Sequence, residues 1–458
     1  MDFVHRPYIP HETVAAIATP PGEGGIAIIR ISGDKALQIA SEVFSGPVHT
    51  YKSHTAHFGA VVDYQKRSID ETLLLLMKGP HSFTGEDTVE LHCHGGSIVT
   101  QQILNEVLRA GARLAQPGEF TLKAFMNGKI DLTKAEAIQD VISAQNDLAL
   151  KAAEQHLQGA LSKKIKSFQS KLLDVAAILE AWVDFPEEGL EFASLEEILN
   201  TLTDLSNKMR SLSSTFHEGK IVHEGLSLCL IGPPNAGKSS LMNALLGKDR
   251  AIVTAIAGTT RDLLEDNMRL GGLHFKLLDT AGIRETNEEI EQEGVRRSLK
   301  AMDAADVILL VLDSSRPLSE EAEQLLRSSP IEKTLIVWNK SDLKRASLPK
   351  TDFPHTAYLS ALTGAGISEL KTALQNMIWS KGPPEKHEVL LTNSRHKEAL
   401  DASIDCLDLV IEGLNHQVSP EFLSFDIRKA LFELGTILGL DISEQILTSI
   451  FSKFCVGK

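Results

Sequence analysis

One octapeptide limits this chain more than any other part of it: Gly232-Pro-Pro-Asn-Ala-Gly237-Lys238-Ser239. It matches GxxxxGK(S/T), follows the apolar run Leu226–Ile231, and leads into a segment of helical character. That context predicts a strand, a phosphate-cradling turn and a helix beginning at Lys238. The glycines let successive backbone amides converge on phosphate oxygens. The helix start adds partial positive charge. Asn235, Ala236, Gly237, Lys238, Ser239 and Ser240 are the expected nucleotide contacts. Lys238 would reach the β and γ phosphates, and Ser239 would ligate Mg²⁺.

Three further motifs fall at the ends of short apolar runs. Asp279-Thr280-Ala281-Gly282 follows Phe275–Leu278. Its carboxylate can hold Mg²⁺ through water, and the Gly282 amide can meet a γ-phosphate. Asn339-Lys340-Ser341-Asp342 follows the run that starts at Thr334. A carboxylate at Asp342 can accept from both N1–H and the 2-amino group of guanine, and adenine offers neither donor. Ser360-Ala361 follows Ala357–Leu359 and can place a backbone amide near the guanine oxygen. The order and spacing of the four motifs resemble GTPases of the translation-factor class, which selects GTP over ATP.

Between the first helix and the second strand lies Gly258-Thr259-Thr260-Arg261-Asp262, where a switch loop belongs, and Thr254, Ala255, Ile256, Ala257, Gly258, Thr259 and Thr260 are expected to bind the nucleotide. Thr260 is the expected second Mg²⁺ ligand. Ile283 stands where Ras-type GTPases place a water-orienting Gln, and an isoleucine cannot orient water. Glu291 is a candidate for that task. Its acidic run, Glu288-Glu289-Ile290-Glu291, reads more simply as the first turn of a solvated helix.

The texture of the chain divides it into four stretches. Residues 1–126 carry strand candidates at Ile26–Ile31, Thr72–Met77 and Thr88–His92, with frequent turns, as in an α+β domain. Residues 127–217 show a helical period, with Leu161, Ile165, Phe168, Leu172, Val175, Leu179 and Trp182 on one stripe. Phe185-Pro186-Glu187-Glu188-Gly189 should break it. Residues 218–380 alternate strands and helices, the pattern of a parallel α/β sheet. Residues 381–458 return to helix, with stripes from Leu400 to Leu414 and from Leu423 to Leu438. The economical arrangement packs the two helical stretches together, with a Ras-like P-loop domain inserted between them.

At 458 residues the chain has room for about three domains. It carries 46 Lys+Arg against 61 Asp+Glu, a net charge of −15, which lowers the expectation of unaided nucleic-acid binding. Residues 225–380 stand at −2, so the remainder carries −13. No apolar run approaches the roughly 20 residues of a membrane span. The N-terminus lacks a signal core, and Cys93, Cys229, Cys406 and Cys455 form no CxxC pair. These features predict a cytoplasmic protein without disulfides or a zinc site. The tail Cys455-Val-Gly-Lys458 does not end as a prenylation box usually does. His92-Cys93-His94 resembles a metal cluster, but strand alternation would turn Cys93 away from both histidines.

From Thr13 to Lys458 the chain resembles the tRNA-modifying GTPases of the MnmE (TrmE) family. The resemblance rests on Ala18-Thr-Pro-Pro-Gly-Glu-Gly-Gly25, Arg30-Ile-Ser-Gly33, Phe83-Thr-Gly-Glu-Asp87 and His94-Gly-Gly96. It rests equally on Pro117-Gly-Glu-Phe120, the run Ala124–Leu132, the inserted G motifs and the terminal Cys455-Val-Gly-Lys458. It implies a dimerising N-terminal domain like those of tetrahydrofolate-binding one-carbon enzymes. The folate would be a 5,10-methylene or 5-formyl form. Arg30, Glu90, Lys129 and Lys458 align with the folate contacts, and Cys455 with an essential thiol.

The resemblance also implies a homodimer and an MnmG-like FAD protein as partner in a hetero-oligomer. The product would be an aminomethyl-type group, such as carboxymethylaminomethyl, on carbon 5 of the wobble uridine of certain tRNAs. K⁺ would take the place of an arginine finger, with Asn235, Thr254, Ile256 and Thr259 as ligands. Glu291 aligns with the residue that orients water, which favours its functional reading, whereas Arg284 receives no fixed role. Two departures stand out: Ala255 replaces an Asp usual in the switch loop, and Val456 a common Ile. The rival reading is a GTP-dependent switch in ribosome assembly or regulation. It would share the G motifs but has no need of Cys455 or the Arg30–Lys129–Lys458 set. The acidic balance agrees with a tRNA substrate if the partner supplies much of the phosphate contact.

Overall fold

The computed structural model describes residues 7–184, 194–249, 267–278, 302–379, 382 and 389–457. The first sheet contains β1 (Val14–Ile17), β2 (Gly24–Ser32), β3 (Thr55–Val62), β4 (Ser68–Met77), β5 (Thr88–Gly95) and β6 (Arg113–Leu114). Their order is β3-β4-β5-β2-β1-β6, antiparallel except for the parallel β1–β6 pair. Strand alternation sets its two faces. Ile29, Ile31, Leu74, Leu76, Leu91 and Cys93 turn to one face, against Ile39 of α1 (Ala36–Val43) and Ile103 and Val107 of α2 (Ser97–Arg109). Arg30, Glu90 and His92 stand on the other, where the register pairs Arg30 with Glu90 and Ile28 with His92. Strands β1, β3 and β6 were not expected from sequence. They are short, or, like β3, broken in pattern by His57 and Gly59.

The second sheet contains β7 (Leu226–Ile231), β8 (Asn267–Leu270), β9 (Leu273–Leu278), β10 (Val307–Asp313), β11 (Thr334–Asn339) and β12 (Thr356–Tyr358). Its order is β12-β11-β10-β7-β9-β8, parallel except for β8, which pairs antiparallel with β9 across the turn Gly271-Gly272. Strands β7, β10 and β11 read as continuous apolar runs because both faces are covered. Leu228, Leu230, Leu309 and Val337 pack to one side, and Cys229, Ile231, Ile308 and Ile336 to the other. The helices α9 (Lys238–Asp249), α10 (Glu320–Ser328) and α11 (Ile367–Ile378) belong to this unit.

The remaining helices precede and follow that sheet in sequence. Before it come α3 (Glu119–Met126), α4 (Leu132–Ser143), α5 (Asp147–Leu157), α6 (Ala160–Asp184), α7 (Leu195–Ser214) and α8 (Phe216–Glu224). After it come α12 (Ser394–Asn415), α13 (Pro420–Leu438) and α14 (Glu444–Phe451). Leu161, Ile165, Leu172, Leu202 and Leu205 share one core with Leu400, Leu407, Ile427 and Leu434. Each fully buried Leu or Ile contributes roughly 2 kcal/mol relative to exposure. The Phe185–Gly189 break expected from sequence lies outside the described residues. Among the described residues no helix is long and apolar enough to cross a membrane.

A buried polar knot ties these parts together. Glu136 on α4 accepts from Arg395 Nε (3.1 Å) and Nη2 (2.8 Å) and pairs with His396 Nε2 (2.7 Å). Arg395 Nη1 also donates to Thr436 O near the end of α13 (2.6 Å). Beside it, Leu391 N donates to Thr215 Oγ1 (3.0 Å), and His156 Nε2 donates to Leu390 O (2.8 Å). The two ends of the inserted sheet unit are thereby fixed side by side. Burial alone would raise the Glu136 pKa, but His396 and Arg395 outweigh it and bring it to about 2.

Replacing Glu136 by Gln leaves Arg395 without its counter-charge and should cost about 3 kcal/mol at pH 7 in urea unfolding. The native carboxyl titrates at about 2 against 4.5 for the free group. Its stabilisation is therefore present above pH 4.5 and fades as pH falls toward 2. Wild type and variant should converge across that window. A gap that stays constant would rule out the ionised carboxylate as its source.

Candidate nucleotide site and docked tail

The chain leaves β7 at Ile231, turns through residues 232–237, and enters α9 at Lys238. Asn235 and Gly237 both have positive φ, 60° and 95°. A Cβ on Gly237 would overlap the side-chain amide of Asn339, so this close approach requires glycine. Asn339 is the centre of the site. Its Nδ2 donates to Ala236 O (2.9 Å) and its Oδ1 accepts from Ala361 N (3.0 Å). One buried amide thus holds the phosphate loop, the end of β11 and the Ser360-Ala361 loop together. Ser360 is itself buried, with its amide on Ala365 O (2.9 Å) and its Oγ accepting from Thr363 N (3.2 Å).

Charge in the site is arranged by short contacts. Lys340 Nζ donates to Asp313 Oδ2 (2.7 Å). Burial would raise the Asp313 pKa, but Lys340 and Ser315 outweigh it and hold the carboxyl below its usual value. Lys238 Nζ donates to two carbonyls of its own loop, Gly232 O (2.7 Å) and Pro233 O (3.0 Å). Burial lowers the Lys238 pKa from its ordinary value, against the opposing charge of Glu321. A desolvated ammonium gains more from a charged phosphate oxygen than from neutral carbonyls. Asp342 stands exposed, three residues beyond Asn339.

Of the predicted nucleotide residues, Asn235 to Ser240, Asn339, Lys340, Asp342, Ser360 and Ala361 gather at the carboxyl ends of β7, β11 and β12. Thr254 to Thr260, Asp279 to Gly282, Arg284 and Glu291 lie outside the described residues. Among the described residues no three His, Cys, Asp or Glu side chains gather as metal ligands. Cys93 is buried in the core of the first sheet.

A second site forms where the C-terminus meets the first sheet. Phe451 and Phe454 are buried beside Leu132, Ala135 and Phe125. They anchor the tail, and Gly118 N donates to Cys455 O (3.3 Å). Gly457 has a φ of 93°, and a Cβ there would lie 2.6 Å from Ile17 O, so the tail can lie on β1 only with glycine at this position. Arg30 Nη1 donates to Gly457 O (3.1 Å) and its Nε to Glu90 Oε1 (2.8 Å), with the guanidinium 5.5 Å from the centre of the Phe120 ring. His92 Nε2 meets Glu90 Oε2 (3.2 Å). The Cys455 thiol is free and exposed.

Of the predicted folate contacts, Arg30 and Glu90 are together, and Lys129 donates to Pro80 O (2.8 Å). Lys458 lies outside the described residues. His92, Phe120 and Gly457 were missed as parts of this site. The signal for His92 was its spacing of two from Glu90, which puts both on one strand face.

A parallel sheet with a phosphate loop at its strand ends, and base loops tied to it through Asn339, defines a P-loop GTPase. Here it is an insert between two halves of a helical unit. The profile of the MnmE helical domain matches residues 132–455, and that of the GTP-binding protein TrmE N-terminus matches residues 13–129. The tRNA modification GTPase MnmE of Protochlamydia amoebophila is 59% identical over 458 residues, covering 100% of both chains. Those of Chlamydia abortus (47% over 450 residues, 98% of this chain and 100% of the relative) and Clostridioides difficile (41% over 456 residues, 98% and 99%) are also similar over nearly their full lengths. The chain belongs to the MnmE family of tRNA modification GTPases.

Asn339→Ala removes both bonds that align the loops. It should weaken GDP and GTP binding by about 2 kcal/mol, roughly thirtyfold, and lower overall stability by about 1–3 kcal/mol. Titration with a fluorescent nucleotide checks this. An unchanged Kd would show that the loops align without the amide.

Proposed function

We propose that this chain is a homodimeric, K⁺-stimulated GTPase that modifies tRNA with an MnmG-like, FAD-dependent partner. Together they add an aminomethyl-type group, such as carboxymethylaminomethyl, to carbon 5 of the wobble uridine. The one-carbon unit comes from tetrahydrofolate in its 5,10-methylene or 5-formyl form. The observation that carries the reading is the tail: Cys455 is exposed three residues from Lys458, on a segment held against Arg30 by the Gly457 carbonyl. A GTP-dependent switch has no use for such a docked thiol.

Arg30, Glu90, Lys129 and Lys458 would bind the folate, whose amide-like pterin edge and carboxylate tail suit mixed charges. In the G domain, Ser239 and Thr260 would hold Mg²⁺, and Asn235, Thr254, Ile256 and Thr259 would hold K⁺. These are all-oxygen donors if Asn235 uses its carbonyl, as hard cations require. K⁺ there supplies charge stabilisation that other GTPases take from an arginine. Glu291 would orient the attacking water, and Asp342 would select guanine. The boundaries 1–126, 127–217, 218–380 and 381–458 separate the folate, helical and G functions.

The test is a nucleoside analysis of tRNA treated with the two-protein system, beside a GTPase assay. Cys455→Ser should abolish wobble modification and leave hydrolysis unchanged, and replacing K⁺ by Na⁺ should slow hydrolysis severalfold or more. Loss of both activities in the variant would contradict two separate sites, and equal rates in the two salts would remove the K⁺ assignment.

A further inference from the structure

We propose that the phosphate backbone of the tRNA docks on the lysine-bearing face of α6, an inference that rests on tRNA being the substrate. From Gln155 to Leu173 the chain has Lys163, Lys164, Lys166 and Lys171 and no acid, in a protein with a net charge of −15. The helical period sends Leu161, Ile165, Phe168 and Leu172 into the core. It leaves Lys163 and Lys166 on the exposed face, with Lys164 and Lys171 on its shoulders. Lys134 of α4 lays its stem against Gly159, at the turn into α6, where a Cβ would lie 2.9 Å from its Cε. It extends the row past the start of the helix.

These cations are not there to stabilise the helix. Lys163 and Lys164 lie near the N-terminus of α6, where the helix dipole disfavours positive charge. Lys171 shares Asp204 with Lys208. Lys134, Lys163, Lys164 and Lys166 form no ion pair among the described residues. Lys163 to Lys171 spans about 12 Å along the helix, the reach of a few phosphates. The unpaired charge of Lys134, Lys163, Lys164 and Lys166 in an acidic protein is complementary to a polyanion.

The neighbouring helix supplies the other half of the surface. Helix α13 lies against α6, with Arg428 Nη2 on Glu180 Oε1 (2.8 Å) and Gln169 close to Gly435. Phe425 and Phe432, two turns apart on α13, are exposed, as is Leu173 on α6. Cations at one end of the helix pair and open aromatic faces further along it suit an RNA strand with unpaired bases. A lipid surface would call for a continuous apolar face, and from Lys163 to Ser170 the exposed side of α6 is lysine and serine.

The experiment measures binding of an unmodified tRNA transcript by the full-length protein with its flavoprotein partner, across a KCl series. GTP hydrolysis serves as the fold control and should not change in any variant. Lys163→Glu/Lys166→Glu should weaken tRNA binding about tenfold or more. Lys163→Ala/Lys166→Ala should flatten the slope of log K against log salt by about 1.5. Phe425→Ala/Phe432→Ala should weaken binding with the slope unchanged. Equal affinity and slope in wild type and lysine variants would overturn the proposal. So would unchanged tRNA binding with lost binding to phosphatidylserine vesicles, which would mark an anionic-lipid surface. A wild-type complex that binds and modifies no tRNA would instead sink the substrate reading itself.

Discussion

The packing of α6 and α7 against α12 and α13 is the contact on which the rest of the molecule depends. These helices lie on either side of the inserted sheet in sequence and meet in one core of Leu, Ile, Val and Phe. Closing a long insertion costs little more than closing a short one, about 0.6 kcal/mol per doubling of length. What the insertion does require is that its two ends stand together. Thr215 on Leu391 and His156 on Leu390 meet that need, and Glu136 locks the start of α12 to α4 beside them. Burial, and then the charge of His396, pushes His156 down to about 4, so it stays neutral at its post.

From that core the nucleotide site and the docked tail are reached through different helices. The sheet unit is carried on α5 and α8, whose Ala149, Ala152, Ile221 and Val222 share its core. The tail is delivered through α14, whose Phe451 packs near α3. Each site is organised by one planar, multiply bonded side chain. Asn339 aligns three loops of the G domain, and Arg30 joins Glu90 to the tail. In both, a buried or half-buried polar group holds segments that are distant in sequence. Leaving such a group unpaired would be costly.

Much of this was legible in the sequence, and for identifiable reasons. The phosphate loop and the Asn339 motif depend on local backbone geometry, so their spacing is written in consecutive residues. The helical stripes were legible because a 3.6 period repeats over many turns, and Leu161 to Leu179 were assigned to the core as observed. Short strands such as β6 carry too few residues to show a period. The Arg30–Gly457 contact joins opposite ends of the chain, and nothing in either stretch alone encodes it. Strand alternation already argued against a metal cluster at His92-Cys93-His94, and the structure leaves His92 with Glu90 and Cys93 in the core. The row of lysines on α6 was obscured by the net negative charge of the whole chain, which averages over faces that the fold keeps apart.

We propose that turnover at the nucleotide site controls chemistry at a separate site near the tail. The most direct measurement is the rate of wobble-uridine modification by the full two-protein system with GTP, with a non-hydrolysable GTP analogue, and without nucleotide. Modification should proceed with GTP and fall to background in the other two. Equal modification in all three would contradict the claim, because the G domain would then be a passenger on the modifying fold.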